Sequence, residues 1–358
     1  MPSFDASSIS SVAIHHVGNK TTGEGLILSQ RAILPDDALQ NILATFLLSS
    51  FKGEEYYQLF DEQSLDANPI FPIARRLFDN PALLHEESCA IARLLFDATA
   101  HPNIKPGDLF VVYFKDCQLG GETLDAIGIF KSENREAFLR INRDDETWSR
   151  LQDDPTASAD FSVDILHGIS TSKLDKGALI FNSDADQGFI LSVVDNTNRG
   201  ADAIYWKDDF LHVRQRQDAF FNTHQAMQLY KEFVSKELPQ QFEVSKADQA
   251  DLLNKSVQFF KQNDNFEIDD FERDVLQQPE VIDSFRQYRD DFSKRNDLQL
   301  PDSFGISDGA VKQQSRSYKS VIKLDKNFHI YVHGDRQLIE QGQDEKGKFY
   351  KVYYNEES

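Results

Sequence analysis

Two cysteines are all that the 358 residues carry. Cys89 and Cys117 form no Cys-x-x-Cys pair, which excludes a disulfide framework and a thiolate zinc site. They read as two buried free thiols in a reducing compartment. Long apolar runs are missing too. No window approaches the ~18 uninterrupted apolar residues of a membrane span. The N-terminal stretch "MPSFDASSIS" lacks the basic start and apolar run of a signal peptide. A cytoplasmic protein with no membrane partner is expected. The sequence has no Gly-x-Ser-x-Gly nucleophile elbow. Neither phosphate-loop nor dinucleotide glycine pattern occurs. "GNKTTGEG" is rich in Gly and Thr, yet it precedes no helix in the required place. No catalytic residue and no cofactor is expected. Cations are scarce as well: 38 Lys and Arg stand against 59 Asp and Glu, for a net charge of -21. Such a chain is soluble and repels polyanions at long range. Any contact with DNA must therefore use a local basic face.

What is present is ample core material. Forty per cent of the residues are hydrophobic and 28 are Phe. The length suits two domains better than one. "SSVAIHHVGN" alternates and carries β-branched Val12, Ile14 and Val17, so it predicts a strand ended by Gly18-Asn19. "LILSQRAIL" predicts a second extended run. Pro35-Asp36-Asp37 then opens a helix whose Leu39, Ile42, Leu43, Phe46 and Leu47 share one face. Helices follow around Pro69 to Asp79 and from Pro81. "DLFVVYF" reads as a buried strand with "LDAIGIFKS" as its hairpin partner. "AFLRIN", "GALIF" and "GFILSVVDN" add strands before "ADAIYWKDDFLHV". After about Arg214 the texture turns helical, with Phe220, Met227, Tyr230, Phe233 and Val234 on one face. Pro279 divides a later helical stretch in two. Strands return in "YKSVIKL", "NFHIYVH" and "KFYKVYY", which suggest a meander. The prediction is an α+β fold: an N-terminal mixed or antiparallel sheet with helices (1–215), a helical segment (216–300), and a basic segment with a C-terminal β meander (301–358) that could pack on an earlier sheet.

His15 and His16 are the first candidates for chemistry. Neighbours on a strand point to opposite faces, so they do not chelate one metal together. One core and one surface histidine at a sheet edge is the favoured reading, and no metal site is expected. His329 and His333 lie four apart on a strand, too far for a tight chelate. Acidic runs such as "DDFERD" and "YRDDF" read as solvated helix faces. A hydrolase would need converging His and carboxylate groups in a pocket, and no motif supplies them. The segment Gly305 to His333 is different: Lys312, Arg316, Lys319, Lys323 and Lys326 face only Asp308 and Asp325. Lys312, Arg316 and Lys319 share one face if that stretch is helical. Polar side chains and Tyr318 interleave with them, a pattern able to track phosphates. A weaker run, Arg199, Lys207, Arg214 and Arg216, is diluted by Asp202, Asp208 and Asp209. By contrast, Pro239 to Ser303 carries fifteen acids and eight bases, a surface suited to a basic partner.

Across nearly the whole chain, "VAIHHVGNK…GLILSQ", "GALIFNSD…GFILSVVDN…ADAIYWKDDFLHV" and "YKSVIKLDKNFHIYVH…KFYKVYY" resemble the bacterial 37 kDa nucleoid-associated protein family, in the family's order. The resemblance implies a cytoplasmic protein found with the chromosome and no assigned enzymatic activity. It also implies DNA, direct or indirect, as a partner, and a topoisomerase as a possible protein partner. Two hypotheses compete: DNA contact through Lys312 to Lys326, or an adaptor recruited to the nucleoid by a topoisomerase-like DNA enzyme. The apolar helix face at Phe220 to Val234 is also a candidate homodimer surface.

Overall fold

The computed structural model describes residues 1–143, 161–197, 205–318, 321–324, 328–331, 338–354 and 356. The chain divides into two compact units, Met1–Gln215 and Arg216–Ser358. Its secondary structure is the expected α+β mixture.

The first unit is organised by a sheet. Its strands are β1 (Ser8–Val17), β2 (Leu26–Ile27), β3 (Tyr57–Leu59), β4 (Gly107–Leu119) and β5 (Glu122–Ser132). They continue with β6 (Glu136–Arg143), β7 (Phe161–Gly168), β8 (Lys176–Phe181), β9 (Ile190–Asp195) and β10 (Val213–Gln215). Eight of them form one sheet in the order β10-β3-β9-β8-β5-β4-β1-β2, paired antiparallel throughout. Among the described residues β6 and β7 pair with each other alone, as a separate ribbon.

Strand period separates two cores. Leu109, Val111 and Tyr113 of β4, with Ile127 and Ile129 of β5 and Ala178 and Ile180 of β8, enter one cluster. Phe110, Val112 and Phe114, with Ala126, Phe130, Leu179 and Phe181, enter the other. Helices α2 (Phe71–Asp79) and α3 (Leu84–Asp97) cover the first face with Trp206 and Phe210; α1 (Asp37–Leu48) covers the second. A sheet buried on both faces explains why "LFVVYF" has no polar alternation. The segment "YWKDDFL", which follows the strand-rich region, is a wide helical turn from Tyr205 to Leu211. Its buried residues, Tyr205, Trp206, Phe210 and Leu211, recur five apart, which suits i→i+5 hydrogen bonding. Buried Asn68 ties this turn to α2: its amide donates to the Leu211 and His212 carbonyls at 3.2 and 2.9 Å, and its oxygen accepts from Ile70 N–H at 2.9 Å.

The second unit is helical at its centre: α4 (Ala219–Glu232), α5 (Lys246–Gln262), α6 (Pro279–Asn296) and α7 (Asp308–Ser315). Side chains cap these helices where the sequence offers them. Asp218 accepts from Phe221 N–H at 3.0 Å, and Ser245 with Asp248 closes a reciprocal capping box. Pro279 occupies the first turn of α6, where a missing N–H costs nothing. Aromatics fill the core. The Phe271 ring takes Tyr230 and Phe259 edge-on at 4.9 and 5.2 Å between centroids. Phe220, Met227, Tyr230, Phe233 and Val234 are all buried, and the last four form part of this core, so the apolar face of α4 is used inside its own unit.

Short strands β11 (Asn265–Glu267) and β12 (Ser303–Gly305) pair beside the helices. The tail carries β13 (Val321–Leu324), β14 (Phe328–Tyr331), β15 (Ile339–Asp344) and β16 (Gly347–Val352). Among the described residues these make two hairpins, β13-β14 and β15-β16, rather than one three-stranded run. "KFYKVYY" finds its partner in Ile339–Asp344. Ile322 and Ile339 pack against Ala247 and Ala250 of α5, which anchors the hairpins to the helices.

Tight aromatic packing in the sheet gives a direct test. A Cβ on Gly128 would lie 2.2 Å from the Phe130 ring and 2.8 Å from that of Phe114. Both rings are fully buried and have no room to yield. Gly128→Ala should therefore destabilise the first unit by about 1–3 kcal/mol, read as a lower urea midpoint at constant slope.

Candidate nucleic-acid interface and buried polar clusters

The basic segment begins on α7. Ser307 caps it, accepting from Ala310 N–H at 3.3 Å. Ala310 and Val311 are buried, while Asp308, Lys312, Gln313, Arg316 and Ser317 are exposed. The helix ends at Ser315, and Arg316 keeps right-handed helical backbone as its C-cap. Lys312 and Arg316 thus stand one turn apart on one solvent face, and Asp308 precedes them by one more turn. Tyr318 turns inward, and its hydroxyl donates to the Met227 carbonyl. Neither Lys312 nor Arg316 forms an ion pair with a described residue. Lys323 belongs to β13 in register with His329. Lys319 and Lys326 lie outside the described residues, as do His333 and the expected Asp325–Asn327 turn.

Many other cations are occupied. In the weaker run, the Lys207 ammonium sits 4.1 Å from the Tyr57 ring centroid and donates to its hydroxyl at 2.5 Å. Arg214 stacks over Phe60 at 4.2 Å. Arg199 and Asp202 lie outside the described residues. The acidic helical region is partly neutralised from within. Arg273 bridges Asp270 and Asp274 at 2.7 and 2.8 Å, Arg286 meets Glu272 at 2.5 Å, and Arg289 meets Asp302 at 2.6 Å.

His15 and His16 separate as strand geometry requires. His16 is half-exposed and meets Asp108 Oδ1 at 2.9 Å. His15 is buried beside Ser88, His85 and Cys89 of α3. The proximity of histidine, serine and thiol invites comparison with a nucleophilic site, but the hydrogen bonds run the wrong way. Ser29 N–H donates to His15 Nδ1 at 3.0 Å, so the ring proton sits on Nε2. That proton is given to Ser88 Oγ at 2.8 Å, and Ser88 gives its own to the His85 carbonyl at 2.7 Å. His85 Nε2 donates to the Ser29 carbonyl at 2.9 Å, which leaves no lone pair there for Cys89 Sγ at 3.9 Å. No base faces either nucleophile. Burial, followed by the charges of His85 and Arg93, pushes the His15 pKa down to about 4. Among the described residues no group of three His, Cys, Asp or Glu side chains is placed to hold a metal ion.

Strand-end lysines build a feature that was not expected. Lys131 and Lys176 are register partners on β5 and β8, and Lys176 is opposite Asp195 on β9. Both ammonium groups are fully buried. Like charges directly across a sheet repel, so carboxylates are threaded between them. Glu133 Oε1 lies 3.2 Å from Lys131 and Oε2 lies 3.7 Å from Lys176. Asp195 holds Lys176 at 3.0 Å. Tyr205 donates to Glu133 at 3.1 Å, and its ring lies within 5.6 Å of both ammonium nitrogens. Desolvation pushes the Lys131 pKa down, against the pull of Glu133. The sequence carries only a partial signal in "FKSE", a lysine at the end of an apolar strand with its acid two residues on; the acids that hold Lys176 come from other strands.

The fold and these clusters define a class: a two-unit α+β protein with a small free cationic face and no activated nucleophile among the histidine, serine and cysteine clusters described. Comparison with family models makes the class specific. The model described as nucleoid-associated protein YejK matches residues 13–358, and the chain belongs to that family. A comparison with curated proteins finds no match. No described helix is long and apolar enough to cross a membrane.

Two outcomes check the clusters. Folded His15 stays neutral, whereas the unfolded chain takes up a proton below about pH 6.5. Stability from His15 is therefore complete above that pH and is lost as pH falls toward 4, by roughly 3 kcal/mol at the limit. The stability advantage of wild type over His15→Asn should shrink between pH 7 and pH 4.5 in urea titrations. Lys131→Met removes the nearer of the two buried ammonium groups that face Glu133 and should cost about 3 kcal/mol. Adding Glu133→Gln should restore part of that loss in a double-mutant cycle.

Proposed function

We propose that this nucleoid-associated protein touches DNA directly, through a cationic face that starts at Lys312 and Arg316 on α7 and continues with Lys319, Lys323 and Lys326. The observation that carries the reading is the pair Lys312 and Arg316, one helical turn apart, exposed and without an acidic partner among the described residues. Elsewhere many arginines and lysines are bound to acids or rings. Lysine and arginine on one helix face bind phosphates without reading bases, so the contact is sequence-independent. Family membership supports the nucleoid setting and a role that is generally non-enzymatic.

A second reading, an adaptor brought to the nucleoid by a topoisomerase-like DNA enzyme, has the net charge of -21 on its side. Its docking surface would be the acidic helices around α6, although their internal salt bridges leave less free charge than the composition suggests.

Fluorescence polarisation of the full chain on random duplex DNA, at two salt concentrations, separates them. The first reading expects micromolar binding that weakens steeply with salt. Lys312→Glu with Arg316→Glu should abolish it at physiological salt and lower the log–log salt slope by about two. Unchanged binding in the double variant would sink the α7 contact. No wild-type binding even at low salt would favour the adaptor.

A further inference from the structure

The ribbon β6-β7 stands apart from the main sheet and carries one strongly exposed face. Register places Ala137 opposite His167, Leu139 opposite Ile165, Ile141 opposite Val163 and Arg143 opposite Phe161. Cross-strand partners share a face, so Leu139, Ile141, Phe161, Val163 and Ile165 form one continuous apolar surface. Each of the five is 58–70 % exposed. The other face carries one apolar pair near the root, Phe138 opposite Leu166, and is polar beyond it: Arg140 meets Asp164 at 2.8 Å, and Asn142 donates to Asp164 at 2.7 Å. The first face is the larger and more exposed apolar surface, as in a strand pair that covers something mainly with one side.

The root of the ribbon is tied to the sheet by hydrogen bonds. Asp175 accepts from the N–H groups of Glu133 and Asn134 at 2.7 and 3.1 Å and from the Asn134 amide at 2.7 Å. Arg135 is clamped by Asp108 at 2.7 Å. These contacts join the ribbon's first strand to the buried lysine row. A preorganised apolar face avoids much of the ordering cost of docking.

We infer that the apolar face of β6-β7 packs against the same face of a second copy of this chain, about a two-fold axis. Three observations select that occupant. The central residues of the face, Leu139, Ile141, Val163 and Ile165, carry no charge, and a chain at -21 meets its own copy most easily where it has none. Nucleic acid would require cations on this face, and its centre offers none. The area also suits a dimer. Five such side chains, exposed by roughly 100 Å² each, give about 500–600 Å² per copy with Ala137, so the pair buries just over 1,000 Å², at the small end of specific interfaces. A two-fold axis between the Leu139–Ile165 and Ile141–Val163 rows sets each row against the other in stacked ribbons about 10 Å apart.

Sedimentation velocity of the full chain between about 1 and 50 μM tests the interface. Leu139→Glu with Ile165→Lys keeps a favourable cross-strand pair, so the ribbon still forms, but it puts charge into the apolar seam. Wild type should sediment as a dimer. The double variant should be a monomer with unchanged circular dichroism and melting temperature, its association weakened on the order of a hundredfold. Asn142→Lys, on the opposite face, should remain dimeric. A wild type that is monomeric throughout overturns the proposal, as does a dimer that survives the double variant. Flotation of a monomeric wild type with phosphatidylglycerol vesicles, lost in the double variant, would instead assign the face to lipid and also overturn it. DNA binding is not part of this readout.

Discussion

Two lysine ammonium groups buried at the ends of neighbouring central strands are the constraint on which the register of the first unit's sheet depends. Burying a charge costs several kcal/mol unless it is paired and hydrogen-bonded. Lys131 and Lys176 face each other across β5 and β8, so each would raise the cost of the other. Glu133, Asp195, Tyr205, Thr197 and the Lys105 carbonyl together satisfy both. These groups come from distant parts of the chain: the loop before β4, the exits of β5 and β9, and the turn that starts at Tyr205. The cluster therefore forms only when five elements are in place at once. Apolar packing alone would tolerate a strand slipped by two residues, but a paired buried charge does not. The ribbon β6-β7 springs from the same end of the sheet and inherits that fixed register through Asp175 and Asn134.

Much of the fold was legible because side-chain period follows backbone geometry. The Pro and Asp signals at Pro35 to Asp37 and at Pro279 mark real helix starts. The continuous run in β4 reads as a buried strand, and the structure buries it on both faces. His15 and His16 separate to opposite faces for the same reason. Three features were hidden, each for its own reason. "IEQGQD" has no strand composition; it is extended because β16 pairs with it and because Gly342 leaves space for the Phe349 ring, which a Cβ would meet at 2.4 Å. The Tyr205–Leu211 turn has a five-residue spacing that fits neither the helix nor the strand template. The lysine row required the pairing register of three strands, which sequence spacing does not give.

For the candidate site, the sequence placed Lys312 and Arg316 on one face, and the exposed face of α7 has that form. It could not show which cations were already taken. Lys207 and Arg214 carry the same formal charge, yet their aromatic partners are visible only in three dimensions. The acidic helices teach the same lesson with the opposite sign, since Glu272 is a buried partner of Arg286 rather than a free docking charge. Net charge counts residues, whereas a binding surface is made only of those left over.

A charge of -21 and a DNA contact are compatible only within limits of distance and number. At physiological ionic strength the screening length is about 8 Å, so acids farther from α7 than that weigh little on a phosphate beside it. What remains local is a few cations, which supports a weak and salt-sensitive contact per copy. Useful residence on DNA then needs more than one contact at a time. A two-fold dimer through the β6-β7 ribbon would carry two α7 faces, so that the second engages at the effective concentration set by the first. The apolar ribbon and the sparse basic face would then belong to one design. In that design the uncharged seam would let an acidic protein assemble, and assembly would compensate for the few positive charges each copy could bring to DNA.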